Sequence, residues 1–488
     1  MTRSSLARVL AALVAPAVLA TCGGGAPDRP RNVILISLDT LRPDHLSCYG
    51  HTPETSPAID ALAARGVRFA DVTSAAPWTL PSHTTMFTGL YPSHHGVKDY
   101  SNRLPQESTT LAEVLAQHGF QTFAVINTLN LANPSYGIFQ GFAPQDVHYI
   151  KEERQAPNGA RVIADTGAQV ADTARELVRA RDRSRPFFLF AHFYDAHTDF
   201  TPEPSYRQKF VAPYPGKLDG TTGQLYALRD AGVRLGPADL RFLREMYDAE
   251  IRQLDDVLSG FFAFLDEQGL TDDTLFVLTS DHGEEFQEHG GLLHGRTQYE
   301  ELLRVPLILA GPGIPRGVVV RQPAGLIDLM PTVLARLGLP APAALDGLDL
   351  SATFGGGTLP ERPFFGEADH NNVVDGAQVV DIKRMVRLGN EKLHLDRHSA
   401  RIELFDLAHD PSEQHDLSAA EPERVRALQG MLARFVQGAR AGEESGKTMS
   451  PDERGLLKQL GYGGDDRDAS AAPSAPAPKA KDAKKSGE

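Results

Sequence analysis

The chain of 488 residues has few cysteines and no excess of positive charge, and both features exclude classes of protein. The two cysteines are Cys22 and Cys48, and the formal net charge is −14. Because no basic stretch suggests a nucleic-acid groove, we expect no nucleic-acid partner, although a local cationic pocket for an anionic substrate stays open. If Cys22 is modified, the remaining thiol cannot form an internal disulfide, and we expect Cys48 to be buried and inert.

The N-terminal residues 1–22 have the pattern of an export signal. A positively charged start precedes the apolar run Val9–Ala20, which is too short to span a membrane. The run ends in Leu-Ala-Thr-Cys22, which resembles a bacterial lipobox and predicts a lipid anchor at Cys22, with residues 23–31 as a tether. A cleaved secretory signal with an incidental cysteine is the alternative. We therefore expect an exported protein that is lipid-anchored to the membrane in a bacterial cell envelope (periplasm or outer membrane); its oligomeric state is not determined by the sequence.

Short β-branched and aromatic runs alternate with helical patterns in the rest of the chain, which predicts an α/β fold with a mostly parallel sheet. The predicted strands are Asn32–Leu38, Phe120–Ile126, Pro186–Phe193, Thr274–Thr279 and Val305–Leu309, and the predicted helices are Pro57–Arg65, Ile163–Arg181, Asp239–Glu267 and Asp328–Leu337. The predicted units are a catalytic domain over 32–361, a smaller α+β subdomain over 362–437, a helical extension over 438–464 and a disordered tail over 465–488.

Polar side chains stand directly after three of these strands. Asp39 follows the first, Asp195 and His197 follow another, and Asp281 with His282 follows a third. Ligands of open α/β sheets bind at the carboxyl ends of the strands, so we expect these side chains to meet at one site.

One segment, Ala76-Pro-Trp-Thr79-Leu-Pro-Ser-His83-Thr-Thr-Met-Phe-Thr-Gly-Leu-Tyr-Pro92, resembles the nucleophile segment of the sulfatase family in the alkaline phosphatase superfamily. That pattern has Cys or Ser, any residue, Pro, any residue and Arg, and then a helix that ends in Thr-Gly-x-x-Pro. Here Thr79 takes the nucleophile position and His83 the Arg position. Residues 403–417 resemble the C-terminal subdomain signature of the same family. The resemblance covers about residues 30–437 and implies a large mostly parallel sheet flanked by helices, with a smaller C-terminal α+β subdomain.

The resemblance also implies a divalent metal ion, for which this chain offers Asp39, Thr79, Asp281 and His282 as ligands. The family usually has two consecutive Asp residues where this chain has Asp39-Thr40. A histidine ligand and a missing carboxylate favour zinc or manganese, with calcium as the alternative. Taken singly, an Asp after a strand is often only a helix cap.

The residue at the nucleophile position decides the chemistry. Oxidation of Thr79 would give a ketone and not the aldehyde of formylglycine, so we expect no formylglycine. A hydroxyl bound to a metal is still a competent nucleophile, and related superfamily enzymes use a metal-bound Thr. The resemblance therefore implies phosphoryl chemistry at least as readily as sulfuryl chemistry. The alternative role for Thr79 is a helix cap.

Three further residues are predicted to handle the substrate. The segment Glu288–Glu301 resembles the family's substrate-lysine region, with Gly295 at the lysine position between His294 and Arg296. Either neighbour could contact the anion, Arg296 through a bidentate contact. The resemblance favours His197 as a contact to the substrate or its leaving group, and part of a second metal site is the alternative.

Together these observations predict a metal-dependent hydrolase of a small anionic ester, either sulfuric or phosphoric, with Thr79 as nucleophile and phosphoryl chemistry slightly preferred. Two other functions stay open: a transferase that passes a phosphoryl-linked headgroup to an acceptor, and a catalytically silent sulfatase-like binding protein.

Overall fold

The computed structural model describes residues 29–444, except 152–153, 156–160, 163–165, 370–372, 375–376, 379–382, 398 and 441. The predicted export signal and lipid anchor, most of the tether and the C-terminal tail lie outside the described residues and stay predictions. Among the helices that are described, none combines the length and the apolar character that a membrane span requires.

An eight-stranded sheet forms the centre of the predicted catalytic domain and confirms the predicted α/β class. In spatial order its strands are Val318–Val320, Gly66–Phe69, Leu307–Ala310, Thr274–Thr279, Asn32–Leu38, Phe187–Phe193, Gln121–Ile126 and Val147–Tyr149. Leu307–Ala310 runs antiparallel to both of its neighbours, whereas the other pairings are parallel. The first strand of the chain is therefore central, and its carboxyl end lies beside those of two other parallel strands.

Helices cover both faces of this sheet because the inner strands are apolar on both sides. In the strand Asn32–Leu38, Val33 and Leu35 face one apolar core, and Ile34 and Ile36 face the other. Within the described residues the α-helices are Pro57–Ala64, Thr79–Thr88, Pro92–His95, Leu111–Gln117, Leu129–Ala132, Gly167–Ala180, Pro204–Phe210, Thr222–Asp230, Pro237–Glu267, Glu300–Leu303, Leu329–Leu337, Ser351–Phe354 and Pro422–Gln437.

Short elements connect these layers. The described 3₁₀ helices are Pro43–His45, Ser47–Tyr49, Pro134–Tyr136, Pro144–Asp146 and Leu326–Asp328. The described two-stranded pairs are Glu285–Phe286 with Leu292–Leu293, Val72–Thr73 with Ala324–Gly325, Asn102–Arg103 with Glu443–Glu444, Arg154–Gln155 with Arg161–Val162, and Val373–Val374 with Ala377–Gln378. Within the predicted helical extension, Glu443–Glu444 thus forms a short strand, and residues 445–464 lie outside the described residues.

A second, antiparallel sheet lies C-terminal to the catalytic domain. Its strands in order are Pro363–Ala368, Lys383–Leu388, Glu391–Asp396 and Arg401–Asp406. The helix Pro422–Gln437 covers one face, and its Phe435 stacks on Phe365 with ring centroids 4.0 Å apart. Tyr91, from the catalytic domain, packs edge-on against both rings, so the two sheets share an apolar cluster.

Two local expectations need correction. The predicted helix Pro57–Arg65 ends at Ala64, and Gly66 opens an inner strand instead of terminating the helix. A Cβ on Gly66 would lie 2.0 Å from the carbonyl oxygen of Leu309, so the strand pairing itself requires glycine there. Cys48 is partly exposed and not fully buried, although burial still raises the pKa of its thiol.

Candidate active site

The sheet brings Asp39 and Asp281 together from distant parts of the sequence. Asn32–Leu38 and Thr274–Thr279 are parallel neighbours in register, with Ser37 opposite Thr279. Each strand ends just before its aspartate, so both carboxylates emerge at the same edge of the sheet. The structure therefore brings these two predicted side chains together at one edge of the sheet.

Asp39, Asp281 and His282 form a compact group of potential metal ligands. His282 Nε2 lies 3.3 Å from Asp281 Oδ2 and 3.7 Å from Asp39 Oδ1. These separations match those of ligands that share one ion at about 2.0–2.2 Å. All three side chains are fully buried, yet both carboxylate oxygens of Asp39 and Oδ2 of Asp281 have no hydrogen-bond partner. Buried carboxylate oxygens are normally paired, so the donor set fits a cation.

Burial also changes the proton affinity of these groups. In the absence of an ion, burial raises the pKa of Asp39 and of Asp281 to about 7 each. Burial lowers the pKa of His282 to about 4. A neutral imidazole is the form that coordinates a metal, and a cation bound between the carboxylates would displace their protons.

The loop after Asp39 is held in an uncommon backbone conformation. Thr40 has φ of 55°, which is rare for a β-branched residue. Its N–H donates to Asp281 Oδ1 (3.3 Å), and its carbonyl accepts from the Tyr247 hydroxyl (2.7 Å). The next N–H, of Leu41, donates to Ser280 Oγ (2.9 Å). These bonds link the two aspartate loops directly and fix the positions of their carboxylates.

Thr79 is the first residue of the helix Thr79–Thr88, which is buried throughout. Its Oγ1 lies 3.5 Å from His282 Nε2, so the structure places the hydroxyl beside the metal-ligand group. Ser82, one turn further along, donates to the carbonyl of Asp281 (2.7 Å) and ties the helix to that loop. The N-terminus of a helix favours anions, and this position therefore suits a developing negative charge.

His83 stands where the sulfatase pattern has Arg, and here it acts as a brace. Its Nε2 lies 2.9 Å from Ser37 Oγ, and its Nδ1 lies 2.8 Å from the carbonyl oxygen of Thr79. Burial lowers its pKa to about 4, so the ring is neutral near pH 7. A neutral ring bonded to Ser37 and to the backbone supports the start of the helix without adding positive charge to the site.

Sequence reasoning missed His192, which belongs to the same group. Its Nε2 lies 3.3 Å from Asp39 Oδ2. Its Nδ1 is held by Asn127 Oδ1 (3.1 Å), and Asn127 in turn donates to Thr166 Oγ1 (2.7 Å). The signal was available in the sequence, because His192 is the one strongly polar residue in the apolar strand Phe187–Phe193.

His197 and His294 lie on the other side of His282. The ring centroid of His294 is 4.6 Å from that of His282 and 4.8 Å from that of His197. Glu284 Oε1 lies 2.9 Å from His294 Nδ1 and fixes the ring orientation. Glu284 was also missed, although it follows His282 by only two positions. Burial lowers the pKa of both His197 and His294, so neutral imidazoles line this side of the site.

Arg296 is positioned differently from the other predicted substrate contacts. Its guanidinium donates to Asp230 (3.1 Å) and lines an open pocket that includes His294. The structure brings together Asp39, Thr79, Asp281 and His282, with His197 and His294 beside them, and places Arg296 at that neighbouring pocket.

A second group of potential ligands consists of His45, His51 and Asp248. His45 Nδ1 lies 2.6 Å from Asp248 Oδ1, and His51 Nε2 lies 3.1 Å from Asp248 Oδ2. Both separations are those of direct hydrogen bonds, so we interpret the group as a hydrogen-bonded brace.

The fold and this arrangement define a class of ester hydrolase. The site offers two carboxylates and a histidine that could hold one cation, and a hydroxyl at a helix N-terminus. These are the groups needed to bind a tetrahedral anion and to attack its central atom.

Comparisons with known proteins agree with this class. The family model described as Sulfatase matches residues 31–339. This protein therefore belongs to the sulfatase family and is an ester-hydrolysing enzyme. Among curated relatives, it is 29% identical over 473 residues to arylsulfatase A of Homo sapiens, covering 84% of this chain and 89% of that protein. It is 27% identical over 394 residues to the multifunctional alkaline phosphatase superfamily protein PehA of Trinickia caryophylli, covering 66% of this chain and 76% of that protein.

A solved structure gives the same fold. The phosphonate monoester hydrolase of Agrobacterium radiobacter superposes with a TM-score of 0.67 at 22% identity, covering 84% of this chain and 95% of that one. At 22% identity this likeness establishes the fold. It confirms the prediction that the chain has the architecture of sulfatases and alkaline phosphatases.

Proposed function

We propose that this enzyme hydrolyses a phosphoric or sulfuric ester with unmodified Thr79 as its nucleophile, and that it prefers phosphoryl transfer. The proposal depends on one observation: the Thr79 hydroxyl lies at a helix N-terminus, 3.5 Å from His282 and beside two buried carboxylates. Enzymes of this superfamily use a divalent metal ion, and Asp39, Asp281 and His282 would hold it together with the Thr79 oxygen. When bound, such an ion neutralises charge on the transferring group and lowers the pKa of a coordinated hydroxyl.

The proposed reaction has two covalent steps, and different side chains take part in each reacting group's contacts. The Thr79 Oγ1 attacks the central phosphorus or sulfur atom, and the bond from that atom to the leaving-group oxygen breaks. The Thr79 hydroxyl proton is released to solvent, and the departing alkoxide takes a proton from water on its own side of the site. His294, which Glu284 orients, and the adjacent His197 are placed to contact the leaving-group oxygen. Water then cleaves the ester formed on Thr79 and restores its hydroxyl.

Two observations support the preference for phosphoryl chemistry. Thr79 cannot be converted into the aldehyde that family sulfatases use, and His83, at the position of the family's Arg, is engaged with Ser37 and the Thr79 carbonyl. The similar proteins include a phosphonate monoester hydrolase, which has the same fold, and a multifunctional alkaline phosphatase superfamily protein. Phosphorus substrates therefore occur among proteins of this architecture. The imidazole ligand favours zinc or manganese over calcium.

The proposal is tested with metal-stripped protein that is reconstituted with zinc, manganese or calcium. Initial rates are measured on p-nitrophenyl phosphate, bis-p-nitrophenyl phosphate, p-nitrophenyl phenylphosphonate and p-nitrophenyl sulfate. We expect the highest kcat/KM on a phosphorus ester with zinc or manganese, and an unmodified Thr79 in the mass spectrum of its tryptic peptide. Preference for the sulfate by protein with unmodified Thr79 would contradict the phosphoryl assignment, and an oxidised residue 79 would contradict the mechanism.

A further inference from the structure

An open pocket lies next to the candidate active site, on the side of His294 that carries Arg229 and Arg296. Its cavity volume is about 150 Å³, and it is also lined by Val233, Gly291 and Leu293. A cavity of about this size can hold a small organic group such as a benzene ring. Because the His294 ring stands 4.6 Å from that of His282, the pocket is separated from the metal-ligand group by one imidazole.

Two arginines in this pocket share a single carboxylate. Arg229 Nε and Arg296 Nη2 lie 3.0 and 3.1 Å from the same oxygen, Asp230 Oδ1. The Arg229 side chain is only 8% exposed, whereas that of Asp230 is 58% exposed. The buried guanidinium also stacks on the Tyr226 ring, 4.1 Å from its centroid. Two cations against one partly solvated anion leave this wall with an excess of positive charge.

The other charged groups around the pocket do not cancel this excess. Glu285 lines the pocket, but its two oxygens accept from the Gly291 N–H (2.7 Å) and the Thr297 hydroxyl (3.0 Å), and burial raises its pKa to about 7. A third guanidinium, of Arg234, packs against Gly290, since a Cβ there would lie 2.4 Å from its Nη1. The pocket therefore presents the lining arginines Arg229 and Arg296 against the carboxylates of Asp230 and Glu285, and Glu285 is already hydrogen-bonded to Gly291 and Thr297.

The pocket adjoins the leaving-group side of the candidate site through His294. This residue lines the pocket, and its ring centroid lies 4.8 Å from that of His197. The pocket is therefore next to the two side chains that are proposed to contact the leaving-group oxygen.

We propose that this pocket binds a second negatively charged group, a carboxylate, phosphate or sulfate, on the alcohol portion of the ester. The inference rests on the proposed function, because it assigns the pocket to the leaving group of that reaction. Arginine suits this role since its planar fork pairs with two oxygens of such an anion. The natural substrate is accordingly an ester that carries one anionic group at the reacting atom and another a few bonds away.

The first experiment compares 4-carboxyphenyl phosphate with 4-carbamoylphenyl phosphate, which differ in the charge of the distal group. For each enzyme we take the ratio of the two kcat/KM values, so that intrinsic leaving-group chemistry cancels when variants are compared. We expect Arg229→Gln and Arg296→Gln each to lower the ratio about tenfold. Asp230→Asn removes the competing carboxylate, and we expect it to raise the ratio. Arg426→Gln is the matched control, because Arg426 is exposed on the C-terminal helix Pro422–Gln437, and the ratio should not change.

The result that overturns the pocket assignment is an unchanged ratio in both arginine variants, or a lower ratio in Asp230→Asn. Phenyl phosphates with a 4-sulfonate or a 4-phosphonate then show which anion the pocket selects.

A binding measurement separates the pocket from the chemistry. Calorimetric titration of the metal-loaded protein with 4-hydroxybenzoate and with 4-hydroxybenzamide needs no turnover. We expect about tenfold tighter binding of the acid and loss of that preference in Arg296→Gln. If the enzyme turns over no ester but retains this preference, the proposed function fails and the anion pocket stands. Equal binding of acid and amide overturns the pocket.

Discussion

Replacing Thr79 by valine removes one oxygen atom from the candidate site and leaves the side-chain shape almost unchanged. Among the described contacts, Thr79 Oγ1 has a single polar neighbour, His282 Nε2 at 3.5 Å, which is at the outer limit of a hydrogen bond. The folding free energy should therefore change by less than about 1 kcal/mol. If the oxygen is the nucleophile, kcat should fall at least about 10³-fold, equivalent to about 4 kcal/mol of transition-state stabilisation.

Thr79→Ser is the matched control, because it retains the hydroxyl and loses a buried methyl group. We expect it to lose about 1 kcal/mol of stability and to keep most of the catalytic rate, the reverse of the valine variant. The assay measures initial rates on the best phosphorus ester, with bound metal determined on the same samples so that loss of the ion is not mistaken for loss of the nucleophile. A valine variant that keeps more than a tenth of the wild-type kcat with its metal bound would refute the assignment of Thr79.

Two further predictions concern the ion and the hydrogen-bonded brace formed by His45, His51 and Asp248. Asp39→Asn should abolish stoichiometric metal binding and make the free energy of unfolding insensitive to a chelator. The wild type should lose about 2.7 kcal/mol of unfolding free energy when the chelator removes an ion that was present at 100 times its dissociation constant. Urea unfolding with and without EDTA measures this difference, and equal chelator effects in both proteins would contradict the prediction. The hydrogen bond with Asp248 raises the pKa of His51, so its stabilisation is present below pH 6.5 and disappears as the pH rises through the folded-state pKa. His51→Gln should thus cost about 1.5 kcal/mol at pH 6 and less at pH 9, and equal losses at both would show that the charge of His51 does not contribute.

The sequence predicted two central strands of the fold well because each of them is mainly an apolar run. Asn32–Leu38 and Thr274–Thr279 were predicted with the observed bounds. The direction of Leu307–Ala310 could not be read from its residues, since a buried antiparallel strand has the same apolar pattern as a parallel one. Gly66 was misassigned because its requirement arises from a neighbouring strand, Leu307–Ala310, more than 200 residues away in the chain.

The candidate site residues that follow a strand were predicted from the sequence, whereas the one that lies inside a strand was not. Asp39, Asp281 and His282 stand at strand ends, and a sequence pattern reveals such positions. His192 lies within an apolar strand, and only the pairing of that strand with Asn32–Leu38 places it beside Asp39. The role of His83 as a brace also depends on a tertiary contact, with Ser37, that no local pattern shows.

The position of the first strand has a consequence for how the polypeptide matures. Asn32–Leu38 is synthesised before both of its partners in the sheet, which begin at residues 187 and 274. The central strand cannot complete its pairing until the residues up to Thr279 have left the ribosome, and contacts of such long sequence separation form slowly. Nascent chains would therefore expose apolar strands for an extended period, and Asp39 would acquire Asp281 as its neighbour only near the end of folding.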